Sequence, residues 1–116
     1  MKKMSFIEME QNSESIRDLL QKQDAVLLYF FNDHCAPCLS LRPKVEALLE
    51  NDFPQMKLAL IDGEAQAATA AQFGVFSFPA LIIFFQGKEY FRESKYVSIG
   101  QLDRAIRRPY DMLYSA

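Results

Sequence analysis

The chain has 116 residues, of which half are hydrophobic and 24% charged, with a formal net charge of −2. That length suits one domain around one core, and no basic stretch stands out against the acidic residues around it, which argues against a nucleic-acid surface. The longest apolar runs, residues 25–31 and 79–85, are too short to cross a bilayer, and no apolar stretch follows Lys2 and Lys3 as a signal peptide requires. The expectation is a soluble, cytoplasmic protein without membrane or nucleic-acid partners.

Residues 5–9 predict a short strand. Asn12 can cap a helix over residues 12–23, with Ile16, Leu19, Leu20 and Gln23 on one face. The continuous apolar run 25–31 predicts a strand covered on both faces. Asn32, Asp33 and His34 turn the chain. A helix follows over 35–51, with Cys38, Leu41, Val45, Leu48 and Leu49 inward and Pro43 expected to kink it. Residues 56–62 predict a strand, and residues 66–73 an alanine-rich helix stopped by Gly74. A strand at 80–85, a turn at Gln86, Gly87 and Lys88, and a returning strand at 89–93 predict a hairpin. Ser98 and Gln101 fit a capping box that opens a last helix to about Arg107, with Ile99, Leu102 and Ile106 inward and Pro109 marking its end. The resulting order, β-α-β-α-β-α-β-β-α, implies a mixed sheet with helices on both faces.

The two cysteines stand three apart in Cys35-Ala36-Pro37-Cys38. A disulfide scaffold would need more of them, spread along the chain. A structural zinc site needs four ligands, and His34 alone is near, so no metal is expected. Two alternatives stay open, a zinc or cluster site shared between two chains and a pair of ordinary buried cysteines. Cys35, however, falls at the start of a helix directly after a buried strand. Unpaired N–H groups and a partial positive charge there stabilise a thiolate, which makes Cys35 the more acidic thiol and the nucleophile. Cys38, one turn on and on the same face, can reach Cys35 and resolve a mixed disulfide. Pro37 suits the first helical turn and stiffens it.

These features together resemble the thioredoxin family along nearly the whole chain. The family's Trp-Cys-Gly-Pro-Cys motif is matched by residues 34–38, its kinked helix by Pro43, and its strand ending in aspartate by residues 58–62. Its Tyr-Gly-Val-x-x-x-Pro-Thr stretch is matched by residues 73–80, its hairpin glycine by Gly87, and its last helix start by residues 98–102. The resemblance implies a five-stranded thioredoxin fold over residues 1–108, followed by a tail at 109–116 that either packs or frays. It also implies a cis peptide before Pro79, facing the two cysteines, with neighbouring backbone groups that pair with an extended substrate segment. Beyond the redox-active Cys35–Cys38 disulfide no cofactor is implied. The implied partners are protein disulfides as substrates and a thiol reductase as electron donor, in electron transport and cell redox homeostasis. Nothing in the sequence sets the oligomeric state.

Departures from the family pattern mark further candidates. His34 replaces the tryptophan, and is expected either to favour the Cys35 thiolate or to pack where tryptophan sits. Ala36 replaces a glycine. Phe78 is bulky where a small aliphatic is usual, and Lys95 takes the place of a glycine. Both are expected to line the substrate groove and narrow its range, Lys95 favouring acidic partners. Tyr29 takes the place of a buried aspartate and Leu58 that of a lysine. A phenol with a pKa near ~10 is a poor base at neutral pH. Resolution by Cys38 is therefore expected to be slow and pH-dependent, with Asp33 and Asp62 as the other candidates for proton handling. Two functions follow, a thiol–disulfide oxidoreductase that reduces protein disulfides, and a partner-binding module with the cysteines as a redox-regulated lock.

Overall fold

The computed structural model describes residues 7–9 and 12–115. Nine elements run in order: β1 (Ile7–Met9), α1 (Ser13–Lys22), β2 (Ala25–Phe31), α2 (Ala36–Asp52), β3 (Lys57–Asp62), α3 (Ala67–Gln72), β4 (Ala80–Phe85), β5 (Lys88–Ser94) and α4 (Ile99–Tyr114). This is the order expected from the sequence; of the strand expected at 5–9, residues 5 and 6 lie outside the described residues.

The sheet has five strands in the order β1-β3-β2-β4-β5. β1 and β2 both run parallel to β3, whereas β4 runs antiparallel to β2 and β5. β2 is central, and alternation along it feeds two cores. Leu27 and Tyr29 meet Leu41, Val45 and Leu49 of α2 and Leu102, Ile106 and Tyr110 of α4. Val26, Leu28 and Phe30 meet Ile16 and Leu20 of α1 and Ala70 and Phe73 at α3. Burial on both faces explains why β2 reads as an unbroken apolar run.

Local chemistry sets the ends of the elements. Asn12 Oδ1 accepts from the Ser15 N–H at 2.9 Å, and Ser15 Oγ faces the Asn12 N–H, a capping box that starts α1. Gln86 and Gly87 both have positive φ, 54° and 82°, as a two-residue hairpin turn requires. Ser98 Oγ accepts from the Gln101 N–H at 3.2 Å and opens α4. The reciprocal bond from the Gln101 side chain is not made among the described residues, so half of the expected box forms.

The expected end at Pro109 is corrected by the structure. α4 continues through Pro109 to Tyr114, so residues 109–114 of the stretch set apart as a tail are its last turns. A proline inside a helix costs about 3 kcal/mol. Packing offsets that cost here. Tyr110 is buried, its ring meets Phe53 edge-on at 5.0 Å, and its hydroxyl accepts from the Gln55 N–H at 2.9 Å. Leu113 and Tyr114 are half-buried beside it, while Met112 is exposed.

Candidate active site

The site forms where the C-terminal end of β2 gives way to α2. Asn32 shapes the loop between them: its side chain accepts from the His34 N–H at 2.8 Å and its carbonyl from the Cys35 N–H at 3.3 Å. Cys35 then takes an extended conformation and caps α2. Its Sγ accepts from the Cys38 N–H at 3.1 Å. Cys35 and Cys38 are joined in a disulfide, with an S–S distance of 2.06 Å and Cα atoms 5.2 Å apart. Cys35 is 9% exposed and Cys38 is 3% exposed, so Cys35 is the more accessible residue of the pair. An N–H aimed at Sγ, at the positive end of a helix dipole, is the setting that stabilises a thiolate. Among the described residues no group of three or more His, Cys, Asp or Glu side chains is gathered to hold a metal.

The sheet register brings the second half of the site alongside. Phe30 pairs with Ala80, which sets Pro79 level with Phe31 and the loop leading to Cys35. The Phe78–Pro79 peptide is cis. On the other side of β4, Ala80 pairs with Ser94, and the Lys95 N–H donates to the Pro79 carbonyl at 2.8 Å. Lys95 has φ +67°, the left-handed region where glycine is at home, in keeping with its standing at a glycine position. A groove of about 400 Å³ opens between Pro37, Leu41 and Lys44 on α2 and Pro79, Lys95 and Tyr96 opposite.

The structure separates several expected site residues. Phe78 is not in that groove. Its ring lies over Gly63, where an added Cβ would run into it, and packs against the α1/α3 core. The missing side chain at Gly63 makes room for the bulk at Phe78, so the expected crowding of the groove by Phe78 is corrected. His34 does not pack in place of a tryptophan. Its side chain is 82% exposed and lies 3.9 Å from Glu64, a contact worth little in water. Ala36 and Pro37 are exposed in the first turn of α2.

Tyr29 sits beneath the inner cysteine, 1% exposed, and its hydroxyl donates to the Cys38 carbonyl at 2.6 Å. Burial pushes its pKa up to about 12, opposed in part by Arg42 and reinforced by Glu46. Such a phenol holds its proton and anchors backbone. Asp62 Oδ1 accepts the N–H groups of Glu64 and Ala65, both at 3.0 Å, and Asp33 is exposed on the loop. Sequence reasoning placed Asn32 in the turn but missed Lys44 and Gly63. A glycine directly after a strand-ending aspartate was a visible signal for the last; nothing in the sequence marks Lys44 as facing Lys95.

The thioredoxin family model matches residues 7–108. The chain belongs to the thioredoxin family. It is 30% identical over 96 residues to the thioredoxin-like protein YdfQ of Bacillus subtilis (strain 168), covering 83% of this chain and 85% of that one. It is 44% identical over 64 residues to the thioredoxin of Chlamydia muridarum, covering 55% of this chain and 62% of that protein. A mutant thioredoxin from Halobacterium salinarum NRC-1 superposes with a TM-score of 0.80 at 27% identity, covering 91% of this chain and 92% of that one. The thioredoxin fold and its redox-active disulfide are thus both present. Among the described residues no helix is long and apolar enough to cross a membrane.

Proposed function

We propose that the protein reduces protein disulfides through the Cys35/Cys38 dithiol. The observation that carries this reading is the cap geometry: the Cys38 N–H donates to Cys35 Sγ at 3.1 Å. In the reduced protein the Cys35 thiolate attacks one sulfur of the substrate disulfide. A mixed disulfide forms and the other substrate sulfur leaves as a thiolate. Cys38 then attacks Cys35 Sγ, which releases the second substrate thiol and closes the Cys35–Cys38 disulfide. Two electrons pass from the protein to the substrate, and a thiol reductase returns them. The proton that Cys38 loses needs an acceptor, and Tyr29, with a pKa of about 12, does not serve. The substrate thiolate released in the first step is a base of matching strength beside the reacting sulfurs. On this reading the protein acts on protein disulfides in the cytoplasm.

Insulin reduction with dithiothreitol as electron donor tests the proposal. Turnover is expected in the wild type and lost in Cys35→Ser. Cys38→Ser is expected to accumulate a mixed disulfide at Cys35. Turnover that survives Cys35→Ser would reject the assignment. A stable complex that forms equally well with Cys35→Ser would point instead to the partner-binding module.

A further inference from the structure

The groove beside the disulfide carries charge of one sign. Its apolar walls come from Pro37, Leu41, Pro79 and Val97. Ser40, Tyr96 and Ser98 add hydroxyls, and its charged lining side chains are Lys44 and Lys95. Among the described residues no carboxylate lines it. Lys44 stands on α2 and Lys95 on the segment after β5, so the two cations approach the groove from opposite walls. Among the described residues neither lysine is in an ion pair, and the nearby Glu46 is held by Arg42 at 2.8 Å. The chain as a whole is slightly acidic, so this positive site is local and not a reflection of net charge.

Lys95 is fixed in place as well as charged. Its N–H is bonded to the Pro79 carbonyl and its backbone is in the left-handed region, so its side chain starts from one defined point beside the cis peptide. An extended segment advances about 3.3 Å per residue. A segment laid along Pro79 with its cysteine at Cys35 therefore brings residues within a few positions of that cysteine into the space between the lysines.

We propose that Lys44 and Lys95 form a paired cationic subsite that selects disulfide substrates with an Asp or Glu next to the reacting cysteine. This rests on the reductase reading above and names its substrate class. Exposed charge pairs act mainly by steering and selecting partners, and salt screens them. The preference is therefore electrostatic and sensitive to ionic strength.

Three disulfide-bridged peptides that differ only in having Glu, Gln or Lys beside each cysteine test it. Dithiothreitol supplies the electrons, and each rate is divided by that of the same peptide with dithiothreitol alone. The expected order of kcat/KM is Glu, then Gln, then Lys, spanning about tenfold at 0.01 M ionic strength and collapsing toward unity at 1 M. Charge reversal at both lysines, Lys44→Glu with Lys95→Glu, is expected to invert the order. Should Lys95→Glu unsettle its turn, Lys44→Glu alone, at an exposed helical position, is expected to halve the spread or more. Equal rates for the three peptides, or an order unchanged by charge reversal, would overturn the subsite while leaving the reductase intact. No turnover of any peptide, the Gln form included, would reject the reductase reading and the subsite with it.

Discussion

Replacing Tyr29 by phenylalanine removes one oxygen and keeps the ring that fills the core between β2 and α2. What is lost is the 2.6 Å hydrogen bond to the Cys38 carbonyl, in a place water does not reach. Loss of a buried hydrogen bond costs about 1–1.5 kcal/mol. For a domain of this size that is about 4–8 °C in Tm. The phenol also gives the wild type an alkaline weakness that the variant lacks. Its folded pKa, about 12, lies above the ordinary value of 10.0, so its contribution is fully present below pH 10 and is lost as pH rises toward 12. At pH 11 the wild type has given up about 1.4 kcal/mol on this account, and Tyr29→Phe nothing. Urea unfolding of the oxidised proteins at pH 8, 10 and 11 is the assay. The variant should be weaker at pH 8, and the gap should close to roughly zero near pH 11. A gap that stays constant with pH, or no gap at pH 8, would refute the reasoning.

Gly63→Ala should cost about 1–3 kcal/mol, because its Cβ meets the Phe78 ring. The cost should fall by more than half in a Phe78→Ile background, and equal costs in the two backgrounds would show that the ring is not the obstacle. Tyr110→Phe should lose about 1 kcal/mol with the Gln55 bond, and Tyr110→Ala about 3–5 kcal/mol with the ring contacts. Chemical denaturation that finds Tyr110→Ala less than 1 kcal/mol from wild type would make the last turns of α4 a dangling end.

The elements were legible because each carries its own local signal. The seven apolar residues of β2 could only be a strand buried twice, and Asn12 and Ser98 announce their helices by capping chemistry. The dithiol was legible because three residues along a helix start is a distance that spacing alone defines. What stayed hidden depends on neighbours remote in sequence. Pro109 reads as a stop until Phe53 and Gln55, more than fifty residues earlier, are seen to hold Tyr110. Phe78 reads as an obstruction until Gly63 is seen to receive its ring. Tyr29 reads as a substitute for a carboxylate until its hydroxyl is seen on a carbonyl rather than a sulfur. An aspartate at this position would lose the ring and leave a cavity as well as a charge, so phenylalanine isolates the hydroxyl.

Cys35 is both the residue that opens α2 and, on the proposed function, the sulfur that reacts. Because the Cys38 N–H closes on Cys35 Sγ, every chemical event at that sulfur is also a change of helix cap. In the disulfide the acceptor is neutral. In the ionised dithiol it becomes an anion and a stronger acceptor. In a mixed disulfide it is neutral again and tied to a foreign chain. The backbone amide of Cys38 thereby serves as a gauge built into the fold, its proton-exchange rate and chemical shift set by which of three states the neighbouring sulfur occupies. A single isotope-labelled amide, followed in solution, distinguishes resting, loaded and substrate-bound protein without any added reporter.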